Sequence, residues 1–104
     1  MYCTMTTTSA PQVSVEEGRM VADEMERWLR DLEGFEGFLL LASEDEGIGI
    51  AFWESREVAE RYAPLRAEFR ERILSLAGVE IEDVVDYEVA FARLGPRLLA
   101  AAGR

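Results

Sequence analysis

Hydrophobic positions along the chain switch between a period of two and a period near 3.6, and the order of these stretches predicts strand, helix, strand, strand, helix, strand. The first strand, Tyr2 to Ser9, is rich in threonine and ends before Ala10-Pro11, where proline withdraws a ladder donor. Ser14-Val15-Glu16-Glu17 has capping-box spacing, so a helix starts there. Val21, Met25, Trp28, Leu29 and Leu32 then recur at steps of three and four, which places them on one helix face. Gly34 is the expected left-handed stop.

The run GFLLLAS, Gly37 to Ser43, has the length of a buried strand, and Glu44-Asp45-Glu46-Gly47 reads as a hairpin tip. Its adjacent acids lack the spaced oxygen ligands of a calcium loop, so a solvated turn is expected and no metal is assigned. The third strand, Gly47 to Trp53, alternates Ile48, Ile50 and Phe52 with Gly49, Ala51 and Trp53. Ser55 is a reasonable N-cap, followed by a helical stripe of Val58, Tyr62, Leu65, Phe69, Ile73 and Leu76. Pro64 removes a backbone bond inside that stripe, which predicts a kink or break near Tyr62-Ala63. The last strand is expected over Glu82 to Arg93, with Val85, Tyr87, Val89 and Phe91 on one face and Val84, Asp86 and Glu88 on the other.

The chain has 104 residues and about half are apolar, the size of one globular core, with residues 1–94 as the domain and 95–104 as a short tail. No apolar run is long enough to span a membrane, and the N-terminus lacks a secretory pattern. With a single cysteine, Cys3, these features predict a cytoplasmic protein. Net charge is −10 and no basic stripe occurs, which argues against nucleic acid and anionic lipid as partners. All eleven positive residues are Arg, and Lys, His and Asn are absent. Four arginines follow an acid by four residues: Asp23 with Arg27, Glu26 with Arg30, Glu57 with Arg61, and Glu68 with Arg72. Such surface pairs contribute about 0.3–0.5 kcal/mol each and explain those arginines without a site.

The element order gives an α+β, ferredoxin-like βαββαβ arrangement, an antiparallel sheet with both helices on one side. Its uncovered face would carry apolar side chains from Leu39 and Leu41 or from Ile48, Ile50 and Phe52, so a twofold homodimer with facing sheets is expected. GFEGFLLLASEDEGIGIAFWESREVAERY, followed by a helix and VVDYEVAFARL, resembles the antibiotic-biosynthesis-monooxygenase type of dimeric α+β barrel domain over about Val15 to Arg93. The resemblance rests most on Gly34 to Gly37 and on Phe52 to Ser55. It implies the fold and does not fix the activity. Superfamily members include cofactor-free oxygenases of polycyclic phenols and quinol precursors, haem-degrading enzymes and proteins of no known activity.

Without His, haem cannot be held by an imidazole and a Ser or Cys nucleophile has no imidazole base. No metal or cofactor is assigned. The expected function is a small-ligand-binding dimeric barrel acting as a cofactor-independent monooxygenase on a phenolic or quinol-type aromatic. The alternative is a non-enzymatic binding or structural homodimer whose barrel is filled by its own side chains. For the first, Trp53, Tyr62 and Tyr87 are the candidate ring-binding residues, Arg66 or Arg93 would stabilise a phenolate, and Asp86 or Glu88 would take a proton. Each has a plainer reading: the aromatics as packing residues, the two carboxylates as exposed strand side chains, and Arg93 as a strand end in water. Cys3 has no base within reach along the sequence.

Overall fold

Four strands and four helices make up the computed structural model, which describes residues 1–9 and 14–101. In chain order they are β1 (Tyr2–Ser9), α1 (Val15–Leu29), β2 (Phe35–Ala42), β3 (Glu46–Trp53), α2 (Arg56–Arg61), α3 (Ala63–Leu76), β4 (Glu80–Glu88) and α4 (Pro96–Leu99). The sheet is antiparallel in the order β2-β3-β1-β4, as the βαββαβ pattern requires. Ala10-Pro11, expected to close the first strand, lies outside the described residues.

Both predicted N-caps form. Ser14 Oγ accepts from the Glu17 amide at 3.1 Å while the Ser14 amide donates back to Glu17 Oε1 at 3.3 Å. Ser55 Oγ accepts from the Val58 amide at 3.2 Å, so the helix starts two residues after the buried end of β3. The break at Pro64 is a full split: α2 stops at Arg61, Tyr62 leaves helical geometry with φ −103° and ψ 6°, and α3 resumes with proline in its first turn. Proline is favourable there because the first-turn amides have no helical partner.

Register sorts the side chains. Thr4, Thr6 and Thr8 of β1 stand opposite Ala51, Gly49 and Gly47 of β3, and Phe38, Leu40 and Ala42 of β2 continue that row. This face meets the helices, since Ala51 and Trp53 cluster with Leu29, Val58 and Ala59. The other face carries Met5, Leu39, Leu41, Ile48, Ile50, Phe52, Val85 and Tyr87, of which Tyr87 is 47% exposed.

Three expectations need correction. β4 runs from Glu80 to Glu88, not from Glu82 to Arg93, because its partner strand opens at Tyr2, opposite Glu88; one more bond, from the Val89 amide to Met1 O at 2.9 Å, ends the pairing. Beyond it Phe91 is 79% exposed. Glu68 and Arg72 form no ion pair among the described residues; Arg72 instead lies over the Phe69 ring, 5.6 Å from its centre. The apolar stripe of the second helical region does not hold past the break either. Leu65 and Leu76 are exposed, while Arg66 and Leu74 are buried, so α3 is rotated by about one residue relative to the continuous stripe.

Gly34 closes the turn after α1 with φ 87°, and its carbonyl accepts from the Glu54 amide at 2.8 Å. A Cβ there would approach Val58 Cγ1 to 2.5 Å. Left-handed strain and overpacking therefore act together, and Gly34→Ala is expected to lower stability by about 2–4 kcal/mol in urea unfolding. A loss under half of that would show that Val58 moves aside freely.

Candidate functional site

Between the threonine row of the sheet and the inward faces of α1 and α3 lies a cavity of about 100 Å³. Several ordered waters would fit in such a space. Its helix side is formed by Val21, Met25 and Trp28 of α1 and by Arg66, Phe69, Arg70 and Leu74 of α3; its floor is formed by Thr4, Thr6, Thr8, Gly47, Gly49 and Ala51. The walls are mostly apolar, and the two guanidiniums are the cationic groups among them.

Arg66 is fixed by several elements at once. Its Nη2 donates to Ala59 O of α2 at 2.6 Å and its Nη1 to Thr4 Oγ1 of β1 at 3.3 Å. The guanidinium carbon lies 4.6 Å from the centre of the Trp53 ring of β3. Arg66 is only 6% exposed, so this cation–π contact is desolvated and worth roughly 2 kcal/mol. Arg70 follows by one turn and makes no side-chain hydrogen bond or ion pair among the described residues. The Nε atoms of both are buried without a partner.

Burial pushes the Arg66 guanidinium below its ordinary value, and repulsion by Arg70 adds to the effect. Arg70 is likewise lowered, first by burial. Asp86 on β4, paired with Thr4, is the one acid whose charge raises both. Thr8 donates to Gly47 O at 3.1 Å and Thr4 accepts from Arg66, while Thr6 between them makes no side-chain hydrogen bond among the described residues.

Of the residues singled out by sequence, Arg66 is the one on the cavity wall. Trp53 is not. Its indole is fully buried, enclosed by Leu29, Val58, Ala59 and an edge-on Phe35 at 5.6 Å, and it supports the wall from behind through Arg66. The tryptophan that meets the cavity is Trp28, stacked on Phe69 with ring centres 4.3 Å apart. Tyr62 packs against the sealed core at the α2–α3 break. Tyr87 is on the opposite sheet face, where it pairs with Cys3. Asp86 and Glu88 are on the helix side and exposed, and Arg93 is exposed beyond the end of β4. The space over Gly49 is taken by the Phe38 ring, which a Cβ would approach to 3.3 Å.

Sequence reasoning left Arg70 unexplained by surface pairing, as it did Arg66 and Arg93, but gave it no role, although its spacing of four from Arg66 places both on one helix face. The thiol of Cys3 is pushed up by burial, with the neighbouring Asp86 charge acting the same way, so it is not poised as a nucleophile. Among the described residues no three His, Cys, Asp or Glu side chains gather as a metal site needs.

No family model matches the sequence, and no curated protein does. Solved structures do match. A monooxygenase from the gene ActVA-Orf6 of Streptomyces coelicolor, in complex with nanaomycin D, superposes with a TM-score of 0.65 at 21% identity, over 90% of this chain and 91% of that one. SnoaB, a cofactor-independent oxygenase from Streptomyces nogalater, gives 0.62 at 16% identity, over 91% and 96%. The chain has the antibiotic-biosynthesis-monooxygenase fold. At3g17210 from Arabidopsis thaliana shares that fold too, with a TM-score of 0.60 at 18% identity over 89% and 98% of the two chains.

Because Trp53 fills the core behind the cavity, Trp53→Ala is expected to cost about 3–5 kcal/mol in urea unfolding. A loss below about 1 kcal/mol would place the indole outside the core.

Proposed function

We propose that the chain is a cofactor-independent monooxygenase that takes a phenolic or quinol-type aromatic into the cavity between helices and sheet. The observation that carries this reading is the desolvated Arg66 guanidinium, held rigidly on an otherwise largely apolar wall. A fixed cation in a dry site favours the phenolate over the phenol and is in place before the charge develops. The shared fold of SnoaB and of the ActVA-Orf6 monooxygenase supports the same reading.

Such a substrate supplies its own electrons. An anthrone methylene plus O2 becomes a ketone plus water: both C–H bonds break, one oxygen atom forms the carbonyl, and the other leaves as water carrying the two hydrogens. The protein orients the ring against Trp28 and Phe69 and holds the phenolate at Arg66 Nε, the guanidinium nitrogen left without a partner. Asp86 is exposed and outside the cavity lining, so in this scheme the phenolic proton passes to it through water. Trp53, Tyr62 and Tyr87 have no ligand contact in this scheme. Oxygen uptake with a panel of anthrones and naphthols should show one O2 consumed per ketone formed, and Arg66→Gln should slow turnover by roughly 100-fold. Oxidation no faster than the protein-free reaction would overturn the assignment.

One observation favours the second reading, a structural or binding homodimer with a filled barrel: Phe38 and the Trp28–Phe69 stack already occupy much of the space over the sheet. Retained folding with no ligand uptake and no oxygen consumption would select it.

The reading includes a homodimer. Leu39, Leu41, Ile48, Ile50 and Phe52 form one apolar surface on the face away from the helices, and a second copy would cover it. Among the described residues no helix is long and apolar enough to cross a membrane. Sedimentation at micromolar concentration should give twice the chain mass, and Ile50→Asp should shift it toward the monomer. A stable folded monomer of the wild type would sink the dimer.

A further inference from the structure

The five arginines on the outer faces of α1 and α2, Arg19, Arg27, Arg30, Arg56 and Arg61, each have a carboxylate partner. Arg66 and Arg70, the two on the cavity wall, have none among the described residues. Acids are not scarce: the chain has 21 of them against 11 bases. A guanidinium without a counter-ion is unfavourable where it is desolvated, as Arg66 is and half-buried Arg70 is in part, and two a single turn apart on one helix repel each other as well. Folding thus leaves positive charge facing the cavity in a protein whose overall charge is strongly negative.

We infer that the ligand of this cavity carries a carboxylate in addition to its ring system, and that Arg70 is the residue that binds it. Arg66 already spends its terminal nitrogens on Ala59 O and Thr4 Oγ1, whereas the terminal nitrogens of Arg70 have no partner among the described residues. A planar guanidinium fork matches the two oxygens of a carboxylate and forms paired, charge-assisted hydrogen bonds with it. The charge count of the lining points to a monoanion: Arg66 and Arg70 are opposed there by Glu46 alone, leaving one positive charge to be neutralised. Val21, Met25, Leu40 and Leu74 supply an apolar wall for the rest of the molecule. This inference rests on the proposed use of the cavity as a ligand site and narrows its occupant from a phenol or quinol to an aromatic acid.

Titration calorimetry on the full chain near neutral pH, with 2-naphthol, 2-naphthoate and 2-naphthyl phosphate as probes, tests it. Naphthoate is expected to bind roughly tenfold more tightly than naphthol. Arg70→Gln should remove that preference, bringing naphthoate to the affinity of naphthol in the same variant. Arg70→Lys, which keeps the charge but loses the fork, should fall between the two and carries the comparison if Arg70→Gln does not fold. An unpaired guanidinium also predicts that Arg70→Met raises the urea midpoint of the ligand-free protein, and a lowered midpoint would show that Arg70 is structural. Equal binding of naphthol and naphthoate would overturn the carboxylate and leave the phenol reading standing, as would tightest binding of the phosphate. A naphthoate preference that persists in Arg70→Gln would overturn the assignment to Arg70. Binding of none of the three would overturn both readings.

Discussion

The Arg66 side chain is the contact on which the arrangement around the cavity depends. It lies over Trp53 of β3, donates to Thr4 of β1 and to the Ala59 carbonyl of α2, and is itself part of α3. One cation therefore joins two neighbouring strands to both halves of the split helix. Trp53 supplies the flat, electron-rich surface that makes burial of that charge tolerable. The large aromatic at the end of the strand is explained by this contact: it is the seat of the arginine and is sealed away from any ligand.

The framework was largely legible in the sequence, because local chemistry decides it. Ser14 and Ser55 cap their helices through side chains only three residues from the amides they bind, and Pro64 breaks the helix by its own covalent structure. Period-two alternation in Gly47 to Trp53 separates Gly49, Ala51 and Trp53 from Ile48, Ile50 and Phe52, and the sheet keeps those two sets on opposite faces. The charge pairs of Arg27, Arg30 and Arg61 follow from helical spacing alone.

The site was less legible because it depends on phase and depth, which spacing does not carry across a break. A continuous helix through Tyr62 would turn Leu65 and Leu76 inward with Phe69, whereas the split keeps Phe69 on the cavity and brings Arg66 and Arg70 beside it. Helical spacing leaves Arg66 and Arg70 without an acid partner, and only the packing shows Arg66 buried and Arg70 half-buried on one cavity wall. Tyr87 was separated from the cavity by strand parity, since it faces away from the helices while Asp86 faces toward them. The stated end of β4 failed for a different reason: alternation continues to Arg93, but the partner strand does not.

The break at Tyr62 divides the helical layer into parts with different mechanical roles. α2 is pinned to the sealed core through Val58 and Ala59, while α3 carries the cavity's cations and aromatic wall. Without a continuous hydrogen-bonded ladder between them, a change in the side chains of α3 need not be transmitted as a rotation of α2. The wall can then be remodelled by substitution on α3 while the seat of Arg66 is preserved. For a designer this is a replaceable panel on a fixed frame, with Arg66 as the bolt that sets how far the panel can move.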